Sequence, residues 1–224
     1  MSQPALVVFD LDGTLIDADC AQDWLTFLKQ KNWPGACYAE TRCAAIMESY
    51  TSGEMDMQAY MAEWVKPIMG KPVHDLEALA EEFAFQTVNA HIFVEGIAHV
   101  KACLQRGDIV VLISASPSLV VHPIARLLGI KHAIGIDVAI ENGQFTSQAV
   151  QPFSFGAGKL LCLEQWLQEH QLTGLPLTTM YSDSRNDLPL LNHAQKAMVV
   201  NADPFVTEIA RRKNWEILFW KSVT

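Results

Sequence analysis

Four short stretches of this 224-residue chain carry residue types able to do chemistry. Asp10 and Asp12 stand one residue apart in "VVFDLDGTL", directly after a run of strand-forming apolar residues. Ser114-Ala115-Ser116 follows "IVVLI", Lys159 lies in "GAGK", and Asp183 and Asp187 lie in "YSDSRND". One acid is enough to end a buried strand in solvent, so two at its mouth point to a site. Carboxylates crowded at one point repel and raise each other's pKa. A divalent cation among them keeps them ionised, and hard oxygens with open water positions suit Mg2+. Such a metal opposite a lysine, a serine hydroxyl and free backbone N–H groups makes a pocket for a phosphoryl group. Asp10 could attack phosphorus there and give an aspartyl-phosphate. Asp12 could protonate the leaving oxygen and later activate water. Gly13, without a Cβ, lets the backbone approach the phosphate closely.

For these stretches to meet, each must leave the same edge of one sheet. Apolar runs at 6–9, 109–113, 177–181, 197–200 and 217–219 alternate with helical patterns at 97–105, 119–128, 159–170, 188–192 and 205–212. The alternation predicts an α/β chain with a Rossmann-like parallel sheet wrapped by helices, whose ligands bind at the carboxyl ends of the strands. Residues 134–140 and 144–145 flank Asn142-Gly143, a strong hairpin signal. Residues 17–85 have another texture, with apolar stripes at helical spacing such as Trp24, Leu25 and Leu28 or Met57, Met61 and Trp64. Pro34-Gly35, Ser52-Gly53 and the stretch 70–72 punctuate them. The expected organisation is a hydrolytic core over 1–16 and 86–224 with an inserted helical cap over 17–85. Five of the eight methionines fall between 47 and 69, suiting an adaptable packed insert or an apolar entrance. Asp19 with Gln22 reads as a capping pair for the first insert helix. Asp187 reads as an N-cap for the helix at 188, and Arg185 as a surface residue.

"FDLDGTL", the serine after the second strand, Lys159, "SDSRNDLPLL" and the tail "VVNADPFVTEIARRKNWEILFW" together resemble the haloacid-dehalogenase superfamily, in its phosphoserine-phosphatase-like branch (subfamily IB). The resemblance spans essentially the whole chain and is weakest in the insert. It implies a Mg2+-dependent phosphatase with Asp10 as nucleophile and metal ligand. Asp12 would be the acid/base, lending its carbonyl to the metal, and Asp183 the third protein ligand. Asn186 and Asp187 would support that ligand, with Gly13 and Thr14 shaping the first loop. Leu11, Ser114, Ala115 and Lys159 would hold the phosphate, and the insert would be a mobile cap that shuts out water. In phosphoserine phosphatases an acid at the offset of Asp19 contacts the substrate amine, which stands beside the capping reading. Two departures bear on the substrate. The first motif reads DGT where phosphoserine phosphatases usually have DST. The stretch "SGEMDMQAYMAEWV" carries no Arg or Lys, Arg42 being the only arginine of the insert. A carboxylate buried without a cation costs several kcal/mol, which argues against free phosphoserine. A phosphotransferase or mutase on the same intermediate, a lipid-phosphate phosphatase and a non-catalytic phospho-ligand binder are the other readings.

Composition restricts the partners. A net charge of −9, with 16 dispersed basic residues, argues against nucleic acid. The densest basic run, Arg211-Arg212-Lys213, suits the end of a late helix. No stretch reaches the roughly 18 apolar residues a membrane span needs. The first residues lack a basic signal-like region, and five cysteines show no ligand spacing. Reduced thiols in a cytoplasmic protein acting on a small-molecule phosphate ester is the expectation.

Overall fold

The computed structural model describes residues 4–48 and 55–221. Leu6–Phe9 forms β1, Val-rich and wholly buried, as a strand covered on both faces must be. Ile109–Pro117 (β2), His132–Ile136 (β3), Leu177–Ser182 (β6), Lys196–Val200 (β7) and Glu216–Leu218 (β8) join it in a parallel sheet ordered β3-β2-β1-β6-β7-β8. Register sets where the loops emerge. Phe9 lies opposite Leu112 on one side and Tyr181 on the other, so the loops after β1, β2 and β6 leave the sheet level with each other. The chain turns from one side of β1 to the other at this point, which is where ligands bind in sheets of this kind.

Val94–Gln105 (α5), Ser118–Leu127 (α6), Gly158–Glu169 (α7), Leu188–His193 (α8) and Pro204–Lys213 (α9) flank the sheet. Alternation within β1 sends Leu6 and Val8 into one apolar layer, with Leu163 and Leu190, and Val7 and Phe9 into the other. The motif "NADP" is the capped start of α9: Asp203 accepts the N–H of Val206 at 2.8 Å, and the three basic residues close the helix.

The insert consists of Cys20–Gln30 (α1), Ala36–Glu48 (α2), Met57–Trp64 (α3) and Val73–Gln86 (α4). Its centre is aromatic: Trp24 meets Phe83 edge to face at 5.5 Å, and the Trp64 indole N–H donates to the Ala21 carbonyl at 3.0 Å. The two connections to the core run side by side, with Ile16 bridging Ile92 and Asp17 N–H donating to the His91 carbonyl at 2.8 Å. A second seam exists. Val138–Glu141 (β4) and Gln144–Ala149 (β5) form a hairpin that bonds the insert backbone: Gly70 N–H to Phe145 O at 2.8 Å, Val73 N–H to Gly143 O at 3.0 Å and Phe145 N–H to Lys71 O at 3.1 Å. Arg126 of α6 also pairs with Glu81 of α4. A swing of the whole insert away from the core would break these bonds.

The Asn142-Gly143 turn is present, with both residues at positive φ. Its first strand differs from expectation: 134–140 is not one strand. The chain breaks at Asp137, so that His132–Ile136 enters the main sheet and Val138–Glu141 the hairpin. Asp137 turns its carboxylate to the Ser118 hydroxyl, and Gly135 lies so near β2 that a Cβ would meet Ser116 O at 2.8 Å. The Ser52-Gly53 break lies outside the described residues.

Candidate active site

Asp10 follows β1 directly, and its N–H continues the ladder to Tyr181 O at 2.9 Å. The loop then folds over the Leu11 carbonyl, which accepts the N–H groups of Thr14 and Leu15 at 3.1 and 2.8 Å. Asp10 is buried. Lys159 Nζ lies 2.7 Å from Asp10 Oδ1 and 2.7 Å from Asp187 Oδ1. Asp187 is also fully buried, and its other oxygen accepts the Ser182 hydroxyl at 2.7 Å. It therefore makes no side-chain cap for α8. Gly158 lets the start of α7 approach, since a Cβ there would fall 2.1 Å from Phe153 O.

The Thr14 hydroxyl lies 3.2 Å from Asp10 Oδ2 and 3.1 Å from Asp183 Oδ1, and accepts the Asp183 N–H at 3.0 Å. Its one proton can serve only one of the two carboxylates. Burial pushes the Asp10 pKa well up, and Asp187 and Asp183 add to this against the pull of Lys159. Burial, then Asp187, pushes Asp183 up to about 6. Lys159 is held above its ordinary value because Asp10 and Asp187 outweigh the opposing effect of its burial. These are carboxylates short of positive charge, and a divalent cation between Asp10 and Asp183 would supply it. Among the described residues no group of three or more His, Cys, Asp or Glu side chains is placed to hold a metal ion. A cation here would have two carboxylates plus backbone, water or substrate oxygens, which is the coordination Mg2+ favours. Gly13 makes room for this: at φ +74° it packs on Asp183, where a Cβ would stand 2.3 Å from Oδ2.

Asp12 points elsewhere. Its carboxylate accepts the Cys20 N–H at 2.7 Å, the Ser116 hydroxyl at 2.9 Å, the Ser114 hydroxyl at 3.2 Å and the Cys20 thiol at 3.5 Å. Residues 114–116 lie in a register break of β2 between Ile113 and Pro117, which frees them from the ladder.

A cavity of about 510 Å3 opens between this edge and the insert. Asp10, Asp12, Gly13, Asp19, Ala115, Lys159, Asp183, Asn186 and Asp187 line it. Leu11, Thr14 and Ser114 do not; all three are fully buried behind it. The Ser114 hydroxyl is bonded to Asp12, and Ser116 reaches the cavity wall instead. Asp19 both caps α1, accepting the Gln22 N–H at 3.0 Å, and lines the cavity. Arg185 lies on the surface, paired with Asp203 at 3.1 Å. Sequence reasoning missed Asp17, Tyr60 and Phe155 in the wall and Cys20 behind Asp12. Tyr60 falls within the Met57 stripe, but nothing in a single sequence aims it at a ligand. No helix among the described residues is long and apolar enough to cross a membrane.

The arrangement offers a buried carboxylate oriented by an ammonium, a second carboxylate two residues on, and a place for a cation, all facing one cavity. Several known proteins resemble the chain. The histidinol-phosphatase of Neisseria meningitidis serogroup C (strain 8013) is 30% identical over 219 residues, covering 96% of this chain and 99% of its own. Phosphoserine phosphatase SerB1 of Mycobacterium tuberculosis (strain ATCC 25618 / H37Rv) is 28% identical over 219 residues, covering 95% of this chain and 70% of its own. A crystal structure of a protein of unknown function from Bordetella pertussis Tohama I superposes with a TM-score of 0.87 at 31% identity, over 97% of this chain and 99% of the other. A substrate-bound phosphoserine phosphatase shares the fold, with a TM-score of 0.68 at 17% identity over 99% of this chain and 95% of the other. The profile of the family described as HAD, haloacid dehalogenase-like hydrolase, matches residues 7–192. The chain belongs to the haloacid dehalogenase-like hydrolases.

Proposed function

We propose that this chain is a Mg2+-dependent phosphomonoesterase that hydrolyses a small phosphate ester through an aspartyl-phosphate on Asp10. The observation that carries the reading is the buried Asp10 carboxylate, held at 2.7 Å by Lys159 and facing a cavity shared with Asp12 and Asp183. The relatives named as phosphatases support it. Asp10 attacks phosphorus, the bond from phosphorus to the ester oxygen breaks, and Asp12 gives that oxygen a proton. Asp12, now a carboxylate, then takes a proton from the water that attacks phosphorus; the bond from phosphorus to the Asp10 oxygen breaks, releasing inorganic phosphate and restoring the Asp10 carboxylate and the Asp12 acid. Lys159, with the N–H group of Ala115, holds the phosphoryl oxygens. Asp10, Asp183 and the Asp12 carbonyl would hold Mg2+, with Asn186 and Asp187 behind them. The metal supplies positive charge against the carboxylates and the phosphoryl oxygens.

Residues 17–85 act as the cap over the cavity and exclude bulk water. The hairpin seam limits how far that cap can swing. A cytoplasmic location fits the free thiols. The test is turnover of an aryl phosphate with Mg2+, abolished by EDTA and by Asp10→Asn. Full activity in either condition would exclude the mechanism.

A further inference from the structure

Part of the cavity wall has no task in the phosphoryl chemistry. Tyr60 of α3 lines the cavity yet is only 4% exposed. The helix is held on either side of it. The Cys43 thiol of α2 lies 3.8 Å from the Tyr60 carbonyl, and the Trp64 indole, one turn on, bonds to α1. The ring is thus fixed, while its hydroxyl has no hydrogen-bond partner among the described residues. The carboxylates whose charge reaches the phenol, Asp19 and Asp12, are themselves cavity residues, so the oxygen sits on the cavity side of the ring. Burial, then Asp19, holds the phenol above its ordinary pKa, and it stays an O–H donor. Buried donors are paired in native structures, and an unpaired one is costly. Around this hydroxyl the wall is apolar: Met47, Met55 and Met57 from the insert, and Phe155 from the loop that leads into Lys159. Thioethers and a ring suit carbon.

Resting on the phosphomonoesterase reading, we propose that Tyr60 selects the alcohol part of the substrate, donating its O–H to an uncharged acceptor on an otherwise apolar body. That body lies against the methionines and Phe155, in the same cavity as Asp10 and Lys159. With Asp19 and Asp12 near the phenol, an anionic acceptor would be repelled and a neutral oxygen or ring nitrogen would not. A site with a buried donor discriminates against esters that lack the acceptor, because the donor is then left unpaired.

The test is a set of alkyl-type esters that separates body from acceptor. Ethyl phosphate has neither, benzyl phosphate has the apolar body, and pyridin-3-ylmethyl and pyridin-4-ylmethyl phosphate add a ring nitrogen, uncharged at pH 8. With Mg2+ present, kcat/KM for benzyl phosphate is expected to exceed that for ethyl phosphate by about tenfold or more. The better pyridylmethyl ester should exceed benzyl phosphate by roughly threefold or more. Tyr60→Phe keeps the ring and removes the donor, and should lower the pyridylmethyl-to-benzyl ratio by roughly threefold or more. Met57→Gln keeps the length of the side chain and makes the wall polar, and should lower the benzyl-to-ethyl ratio by a similar factor. The thermal midpoint of each variant checks folding. A pyridylmethyl-to-benzyl ratio unmoved by Tyr60→Phe would overturn the inference, as would ethyl phosphate turned over as well as benzyl phosphate. Either result leaves the phosphomonoesterase reading in place. No turnover of any ester, 4-nitrophenyl phosphate included, would sink that reading and this inference with it.

Discussion

Asp12 Oδ1 accepts the backbone N–H of Cys20, the first residue of α1, at 2.7 Å. The proposed acid/base of the core is thus held by the first turn of the insert, while Ser116 and Ser114 hold its other oxygen from the β2 side. Ser116→Ala removes one of these holds. The expected loss in kcat is about tenfold for an alkyl phosphate and clearly smaller for an aryl phosphate, whose leaving group needs less protonation. Rescue by Ser116→Thr, which keeps a hydroxyl, separates loss of that bond from loss of packing. Equal losses on both esters would show that Ser116 does not act through Asp12.

Lys159→Met leaves Asp10 and Asp187 as neighbouring buried carboxylates without their cation. Breaking a buried pair in this way costs about 3–5 kcal/mol, read as a lower urea midpoint. Adding Asp187→Asn should recover part of that loss, because one of the stranded charges is gone. A double variant no more stable than the single one would show that the Lys159–Asp187 contact of 2.7 Å carries little of the effect.

Gly13→Ala tests the cation place. At φ +74° an alanine is strained, and its Cβ would stand 2.3 Å from Asp183 Oδ2, so Asp183 must shift. The Mg2+ concentration for half-maximal activity is expected to rise about tenfold or more, and the rise in melting temperature on adding Mg2+ to shrink. An unchanged Mg2+ dependence would remove Asp183 from the ligand set.

His99 offers a pH test away from the site. Its Nδ1 lies 3.2 Å from the Tyr181 hydroxyl and its ring packs on Trp220 at 5.4 Å. Burial lowers its pKa, with Lys196 and Arg106 adding to this and Glu216 opposing it. Above the unfolded value of about 6.5 the ring is neutral in both states and nothing is lost. Below it the unfolded chain takes up a proton that the folded chain resists, so stability falls with pH. The urea midpoint of the native chain minus that of His99→Gln should therefore decrease between pH 8 and pH 5.5. A difference that stays constant or grows on acidification would contradict the assignment.

Much of this was legible in the sequence because parallel strands and active-site loops leave local marks. β1 shows as "LVVF", and the loops after β1 and β6 show as acids directly after apolar runs. What escaped depends on distance. The break at Asp137 arises from contacts with Ser118 and from the approach of Gly135 to β2, neither of which has a periodicity. Helix α2 buries only small residues, Ala36, Ala39 and Cys43, so its apolar stripe is faint. The Ser114 hydroxyl looked free for phosphate until the fold placed the Asp12 carboxylate 3.2 Å away. The same fold put Ser116 on the cavity wall, though both serines sit in one triplet.

The nucleophile assignment is tested most directly by acid-quenching the enzyme during turnover of a phosphate ester and locating the phosphoryl group by peptide mass spectrometry. The expected result is a base-labile phosphate on the peptide holding Asp10, absent from Asp10→Asn. Phosphate captured on another residue, or steady turnover by Asp10→Asn, would contradict it.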